Sequence, residues 1–381
     1  MKKIVKQILI IYLIIVVLKI LLSSLIPAPS SYSDEYLYMK LARSFFFDFN
    51  FSIHDVQVDN LPLYPILISI SYLFNDMTII YFFMKVINAF VSSLIIIPAF
   101  LLSKEFFNEK KSLIFSLLIS IIPSSFSYSP YVISENLFMP LSIFAIYFLY
   151  KSFYEKKYKY SILLGVFLAL SYLTKALAIS LLAAFALSYL ALFFVKKAER
   201  SLLIKKFILT SGIFLIIISP WIIRSFYLYG LHLRLLFGIY SKEAVSIVTD
   251  FKLINYIIKF LIYTSYLILA SLIIFPLKSI NIFNKKNLMF SILFFTLLIP
   301  MLIIVANHGR IIIFFEWFTG RYIGRYVDFF LPLIYLAGFI GLEKMKKINK
   351  LTMAIFIFFL TIGSLVTLHS LFPVNNLSLT W

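Results

Sequence analysis

Pro62-Leu63-Tyr64-Pro65-Ile66-Leu67-Ile68-Ser69-Ile70-Ser71-Tyr72-Leu73-Phe74 is an apolar run of 13 residues whose length decides the topology of the chain. At ~1.5 Å per residue such a helix reaches about 20 Å, short of the ~30 Å of hydrocarbon that a crossing must span. It therefore reads as a juxtamembrane or re-entrant helix. Read as a crossing, it would reverse the side of every later loop.

Longer apolar runs, of about 17 to 25 residues each, lie near 5–27, 78–102, 112–128, 134–153, 160–175, 177–195, 207–223, 254–276, 287–306, 327–343 and 351–371. These predict about eleven transmembrane helices in an all-α polytopic membrane protein, with juxtamembrane helices in its first outer loop. When 62–74 does not cross, the N-terminus and the loops carrying Lys104, Lys151, Lys196, Lys278 and Lys344 share one side. That side collects 22 of the 35 basic residues and only five acidic ones, which marks it as cytoplasmic. The outer side receives 28–77, 129–133, 224–253, 307–326 and the tail after Leu371. These segments carry both signs of charge and are the place to look for chemistry. The sequons Asn50-Phe51-Ser52 and Asn376-Leu377-Ser378 fall there too.

Composition agrees: of 381 residues, 62% are hydrophobic and 13% charged, with mean hydropathy +1.00, which excludes an ordinary soluble domain. The absence of cysteine excludes disulfides, thiol nucleophiles, iron-sulfur clusters and thiolate zinc sites. The net charge of +19 resides mainly in short cytoplasmic runs, so nucleic acid is not the expected partner. The first span lacks a small-residue cleavage site and reads as a retained anchor. No repeat, flexible linker or soluble insertion divides the chain, so residues 1–381 are expected to form one membrane domain.

Within the first outer loop, Ser33-Asp34-Glu35-Tyr36 places two adjacent carboxylates just beyond the first span. A helix is expected from about Asp34 to Phe47, with Ser33 as its N-cap. Acids in a first helical turn are favoured by the helix dipole, which is the plain reading of the pair. In the chemical reading, Asp34 is a general base at the membrane surface and Glu35 orients it or the acceptor.

The succession Asp34-Glu35-Tyr36, Ala42-Arg43 and Asp59-Asn60-Leu61-Pro62-Leu63-Tyr64-Pro65 resembles the first outer loop of the GT-C glycosyltransferases. It is similar in particular to protein O-mannosyltransferases and lipid A aminoarabinose transferases. Further echoes follow in order: Lys85-Val86-Ile87-Asn88-Ala89, Ser134-Glu135, Leu173-Thr174-Lys175, Ser219-Pro220-Trp221-Ile222-Ile223-Arg224, and Gly324-Arg325-Tyr326 leading to Pro332. Asn60 stands where aminoarabinose-type enzymes often carry Lys, Leu61 replaces the first proline of a Pro-Pro pair, and Lys85 replaces an Arg. Substrate identity therefore does not carry over.

The resemblance implies transfer of a sugar from a polyprenyl-phosphate donor to a glycan, lipid or protein acceptor on the extracytoplasmic face. Asp34 would be the base, with Glu35 and Glu135 as further acids of the site. Lys85, Lys175, Arg224, Arg321 and Arg325, near outer span ends, would hold the donor phosphate. Tyr36, Arg43, Asp59 and Tyr64 would position the acceptor or the loop. Each cation has the alternative role of snorkelling to lipid headgroups, and Arg321 and Arg325 that of pairing with Glu316 or Asp328. No cofactor is expected, and a divalent metal is not favoured because the second outer loop lacks an Asp-x-Asp pair. A transporter or lipid-linked glycan flippase is the alternative, disfavoured by span centres nearly free of charge. A non-catalytic scaffold is a third reading.

Overall fold

The computed structural model describes residues 2–29, 33–231, 253–283, 287–308, 311–312, 319–320, 324–342 and 350–370. Helices predominate: α1 (Lys2–Ser24), α2 (Ser33–Asp48), α3 (Leu63–Ser69), α4 (Met77–Ser93), α5 (Ile96–Ser103), α6 (Glu109–Ile121), α7 (Pro123–Phe126), α8 (Glu135–Tyr154), α9 (Lys159–Thr174), α10 (Ile179–Val195) and α11 (Arg200–Tyr229) come first. After the segment 232–252, which lies outside the described residues, follow α12 (Leu253–Ala270), α13 (Ile274–Ser279), α14 (Leu288–His308), α15 (Leu331–Leu342) and α16 (Lys350–Ser370). Two small antiparallel hairpins pair β1 (Ser52–Ile53) with β2 (Val56–Gln57), and β3 (Ile311–Ile312) with β4 (Thr319–Gly320).

The run Pro62–Phe74 is a short helix, shorter than the six helical stretches long enough to cross. It forms α3 followed by a 3-10 turn, Ile70–Leu73. Tyr64, Pro65, Ile68, Ser71 and Tyr72 are buried while Ile70 and Leu73 are exposed. Asp76 then starts α4, its side chain accepting from the Thr78 and Ile79 amides at 2.8 and 3.0 Å. Those two bonds hold the Asp76 carboxyl below its usual range.

Among the described residues six helical stretches are long and apolar enough to cross a membrane: Lys3–Ser24, Met77–Ser103, Glu135–Tyr154, Ala176–Val195, Lys197–Tyr229 and Leu288–Ala306. Each of the other five expected spans also contains helix, but several are broken. The 112–128 run stops at Ile122, whose ψ of 146° is the extended geometry that a following proline imposes. The 254–276 run breaks where Leu272 and Ile273 turn to positive φ.

By contacts the chain falls into two units, Met1–Ala178 with Ile204–Ser241, and Ile179–Leu203 with Lys242–Trp381. In the first, α2, α3 and α4 enclose a core of Met39, Ala42, Tyr64, Ile68, Tyr72, Ile80, Tyr81, Met84 and Val132. Gly165 lets α9 approach α11, since a Cβ there would sit 2.7 Å from the Thr210 carbonyl oxygen. In the second unit, Gly338 and Gly341 of α15 lie directly against Phe275 and Lys278 of α13. Small residues permitting such approach are a usual means of packing membrane helices.

Lys19 places a charge inside the first span, toward its C-terminal end. This residue of α1 is fully buried, its Nζ donating to Ser92 Oγ of α4 at 2.8 Å. Lys206, counted with a loop by sequence, is buried too and donates to the Ser152 (2.8 Å) and Glu155 carbonyls at the C-terminus of α8. Both lysines survive burial because an oxygen acceptor receives the ammonium.

Candidate active site

The two carboxylates of α2 separate. Successive helical positions are about 100° apart, so Asp34 and Glu35 cannot face the same way. Glu35 turns inward and is completely buried. Its Oε1 accepts from the Tyr81 hydroxyl at 3.0 Å and from the Val132 amide at 2.8 Å. One carboxylate thereby ties the first turn of α2 to α4 and to the loop before α8. Asp34 is half-buried on the same turn.

The loop 128–133 is fixed by two asparagines that sequence reading did not single out as site residues. Asn136 Nδ2 donates to the carbonyls of Tyr128, Tyr131 and Ile133 at 3.0, 3.0 and 3.2 Å. Asn88 Nδ2 donates to the Tyr131 carbonyl at 2.8 Å, while its Oδ1 accepts from Tyr64 at 3.0 Å. Burial holds the Tyr64 phenol well above its usual range against the opposing pull of Asn88, so it stays a neutral donor. Burial, then the charge of Glu35, raises Tyr131 as well. Tyr38 stacks edge-on against Tyr64 with centroids 4.9 Å apart and donates to Ser134 Oγ at 2.9 Å.

Glu135 opens α8 and is buried beside Lys175, whose Nζ lies 2.5 Å from its Oε1. Lys175 stands where α9 ends, in extended backbone, and its side chain meets the first residue of α8. Lys85 Nζ donates to the Ser23 and Ile26 carbonyls at 2.7 and 2.5 Å and lies 4.5 Å from the Tyr81 ring centre. It caps the C-terminus of α1, where the helix dipole favours a cation.

Arg224 is arranged differently. Its Nη2 donates to Gln57 Oε1 of β2 at 2.7 Å, and its guanidinium lies 4.5 Å from the Trp221 ring centre and 5.5 Å from that of Phe51. Its Nη1 is buried without a hydrogen-bond partner, as is Nδ2 of the buried Asn60. Asp59, next to Asn60, is also buried and acts on the guanidinium through its charge. Gln57 and Trp221 are thus further members of the site.

Tyr36 lies outside, exposed, with its hydroxyl 3.4 Å from His54 Nε2. Arg43 is exposed over the Phe47 ring at 5.6 Å. Arg325 belongs to the second unit, where its guanidinium lies 5.6 Å from the Tyr326 ring centre. Asp328 accepts there from the Tyr266 hydroxyl at 2.7 Å. Arg321 and Glu316 lie outside the described residues. Among the described residues, no three of His, Asp and Glu converge in a metal-like cluster.

The family of dolichyl-phosphate-mannose-protein mannosyltransferases matches residues 59–223, from the Asp59-Asn60 pair to the residue before Arg224. No curated protein matches the chain in sequence. Among solved structures, ArnT from Cupriavidus metallidurans bound to undecaprenyl phosphate is similar, with a TM-score of 0.60 and 13% identity over 95% of this chain and 64% of that one. Archaeal oligosaccharyltransferase AglB from Archaeoglobus fulgidus, in complex with an inhibitory peptide and a dolichol-phosphate, gives a TM-score of 0.52 and 13% identity over 93% of this chain and 56% of that one. The chain thus spans less than two thirds of the length of either. With the ordered motifs of its first unit, this likeness makes the chain a multi-pass membrane protein of the GT-C glycosyltransferase fold, resembling ArnT and the protein mannosyltransferases.

Proposed function

We propose that the protein transfers a sugar from a polyprenyl-phosphate donor to a hydroxyl-bearing acceptor on the extracytoplasmic face of the membrane, with Asp34 as general base. The observation that carries this reading is the guanidinium of Arg224. One edge is fixed by Gln57 and one face by Trp221, while buried Nη1 makes no hydrogen bond. A buried donor left unpaired costs ~1–3 kcal/mol, and a phosphate oxygen of a bound donor would offset that cost. Asn60 Nδ2, also unpaired, would supply a second donor. The lipid phosphates bound by ArnT and AglB support the same ligand class.

The displacement follows. The acceptor hydroxyl gives its proton to the Asp34 carboxylate as its oxygen attacks the anomeric carbon. The bond from that carbon to the phosphate oxygen breaks, and its electron pair leaves with polyprenyl phosphate. Configuration inverts, and Arg224 stabilises the charge that develops on the leaving phosphate. Lys85 and Lys175 have their ammonium groups engaged by carbonyls and by Glu135, so they serve this step by shaping the site.

The test is the full chain in proteoliposomes, supplied with radiolabelled hexosyl undecaprenyl or dolichyl phosphate, with release of polyprenyl phosphate as the readout. Arg224→Gln is expected to lower kcat/KM by about 100-fold or more, the usual loss for one preorganised donor to a developing oxyanion. Unchanged transfer by a correctly inserted Asp34→Asn protein would sink the base assignment. Movement of intact lipid-linked sugar across sealed vesicles, without bond transfer, would establish the flippase reading instead.

A further inference from the structure

A second polar feature lies on α2 and the β1–β2 hairpin, apart from the residues given roles in the proposed displacement. The C-terminal half of α2 and the β1–β2 hairpin form an open pocket of about 300 Å³ lined by Lys40, Arg43, Ser44, Phe47, Asp48, Ser52, Ile53, His54 and Asp55. The hairpin is drawn onto the helix by Ser44, whose Oγ accepts from the Ser52 amide at 3.2 Å and lies 3.1 Å from Ser52 Oγ. His54 and Asp55, the two turn residues, both hold positive φ, at 49° and 63°. That is the geometry of a type I′ turn, which normally selects Asn-Gly. This chain places an imidazole and a carboxylate at the pocket rim at some conformational cost.

The charges are arranged unusually. Lys40, Arg43, Asp48 and Asp55 line one pocket, yet none forms a salt bridge with a described residue. Lysine and arginine only donate hydrogen bonds, and ionised aspartates only accept them. A ligand that engages all four must offer acceptors and donors side by side. Vicinal hydroxyls do this without net charge, because each is donor and acceptor at once. A purely anionic ligand would meet Asp48 and Asp55, and a purely cationic one Lys40 and Arg43, at a repulsive cost. The volume lies at the lower end of the ~300–1,000 Å³ range of small-molecule sites.

We infer that this pocket binds a neutral saccharide, holding the acceptor of the proposed transfer through its ring hydroxyls. The inference rests on the transferase reading, but its test does not need turnover. Saturation-transfer NMR on the full chain, in a detergent without a sugar headgroup, would use neutral manno-, gluco- and galactotrisaccharides as probes. A sugar phosphate and a seryl peptide serve as comparison ligands. At least one neutral trisaccharide should receive saturation, and Asp48→Asn and Asp55→Asn should each weaken that binding by about tenfold, the loss of one charge-assisted hydrogen bond apiece. An Arg43→Gln protein should show a similar loss. Absence of saturation on every neutral trisaccharide, equal binding by the variants, or preferential binding of the sugar phosphate or peptide would each overturn the assignment. Because no donor lipid is present, these outcomes are independent of whether transfer from a polyprenyl phosphate occurs.

Discussion

Glu35→Ala provides the sharpest test of the division of labour at the start of α2. The buried carboxylate accepts from the Tyr81 hydroxyl and the Val132 amide. Each hydrogen bond to a charged acceptor contributes ~1.5–3 kcal/mol, and its removal leaves a buried donor unpaired. Two such losses amount to about 3–6 kcal/mol if they add. At ~2 °C per kcal/mol for a large domain, the unfolding midpoint should fall by about 6–12 °C. Thermal scans in detergent, followed by intrinsic fluorescence at one protein concentration and scan rate, would measure this. Glu35→Gln, which keeps one acceptor oxygen, should lose roughly half as much. Tyr81→Phe combined with Glu35→Ala should fall short of additivity by about 1 kcal/mol, because both remove the same bond. A Glu35→Ala midpoint within about 2 °C of wild type would refute the reasoning. So would a Glu35→Gln protein of native stability that had lost all transfer, since that pattern belongs to a catalytic base.

Lys175→Met should destabilise by about 3–5 kcal/mol by removing the ammonium that pairs with the buried Glu135 carboxylate. Adding Glu135→Gln should recover part of the loss in the same thermal assay. Gly341→Ala places a Cβ 2.0 Å from the Lys278 carbonyl oxygen. It should cost about 1–3 kcal/mol, seen as a lower midpoint and a smaller folded fraction in membranes. Arg224→Lys should rescue little of the activity lost in Arg224→Gln, because a point charge replaces a guanidinium bound along one edge and stacked on Trp221. Donor KM and kcat would be compared between the two variants.

Much of the architecture was legible because it follows from length and charge. Thirteen residues are too few for a crossing helix, and Pro62–Phe74 forms the short helix α3 with its 3-10 turn. The apolar runs were equally plain, whereas their breaks at Ile122 and at Leu272-Ile273 depended on backbone geometry. The second of these carries no sequence signal at all. The stripe Tyr81, Lys85, Asn88 and Ser92 was present in the sequence at positions i, i+4, i+7 and i+11, one face of an otherwise apolar helix. That spacing is the signal that finds the partners of Glu35, Ser23, Tyr64 and Lys19. Gln57 offered no such signal, because it meets Arg224 across 167 residues.

The adjacency of Asp34 and Glu35 suggests one two-carboxylate site, but on the helix the two side chains leave about 100° apart and Glu35 is buried. With Glu35 anchored to α4 and the loop before α8, the rotation of the first turn of α2 is set, and half-buried Asp34 leaves the helix about 100° around from Glu35. The buried acid therefore has a function for its neighbour: it sets the direction and height of the only other carboxylate on that turn. A general base works when it is held within hydrogen-bond reach of the proton it takes. Loosening Glu35 would leave Asp34 chemically intact but less firmly placed. Glu35→Gln should accordingly lower kcat for transfer while leaving the pH dependence of the remaining activity unchanged, whereas Asp34→Asn should abolish the basic group itself. A Glu35→Gln protein whose pH profile shifted would show instead that both carboxylates exchange protons with substrate.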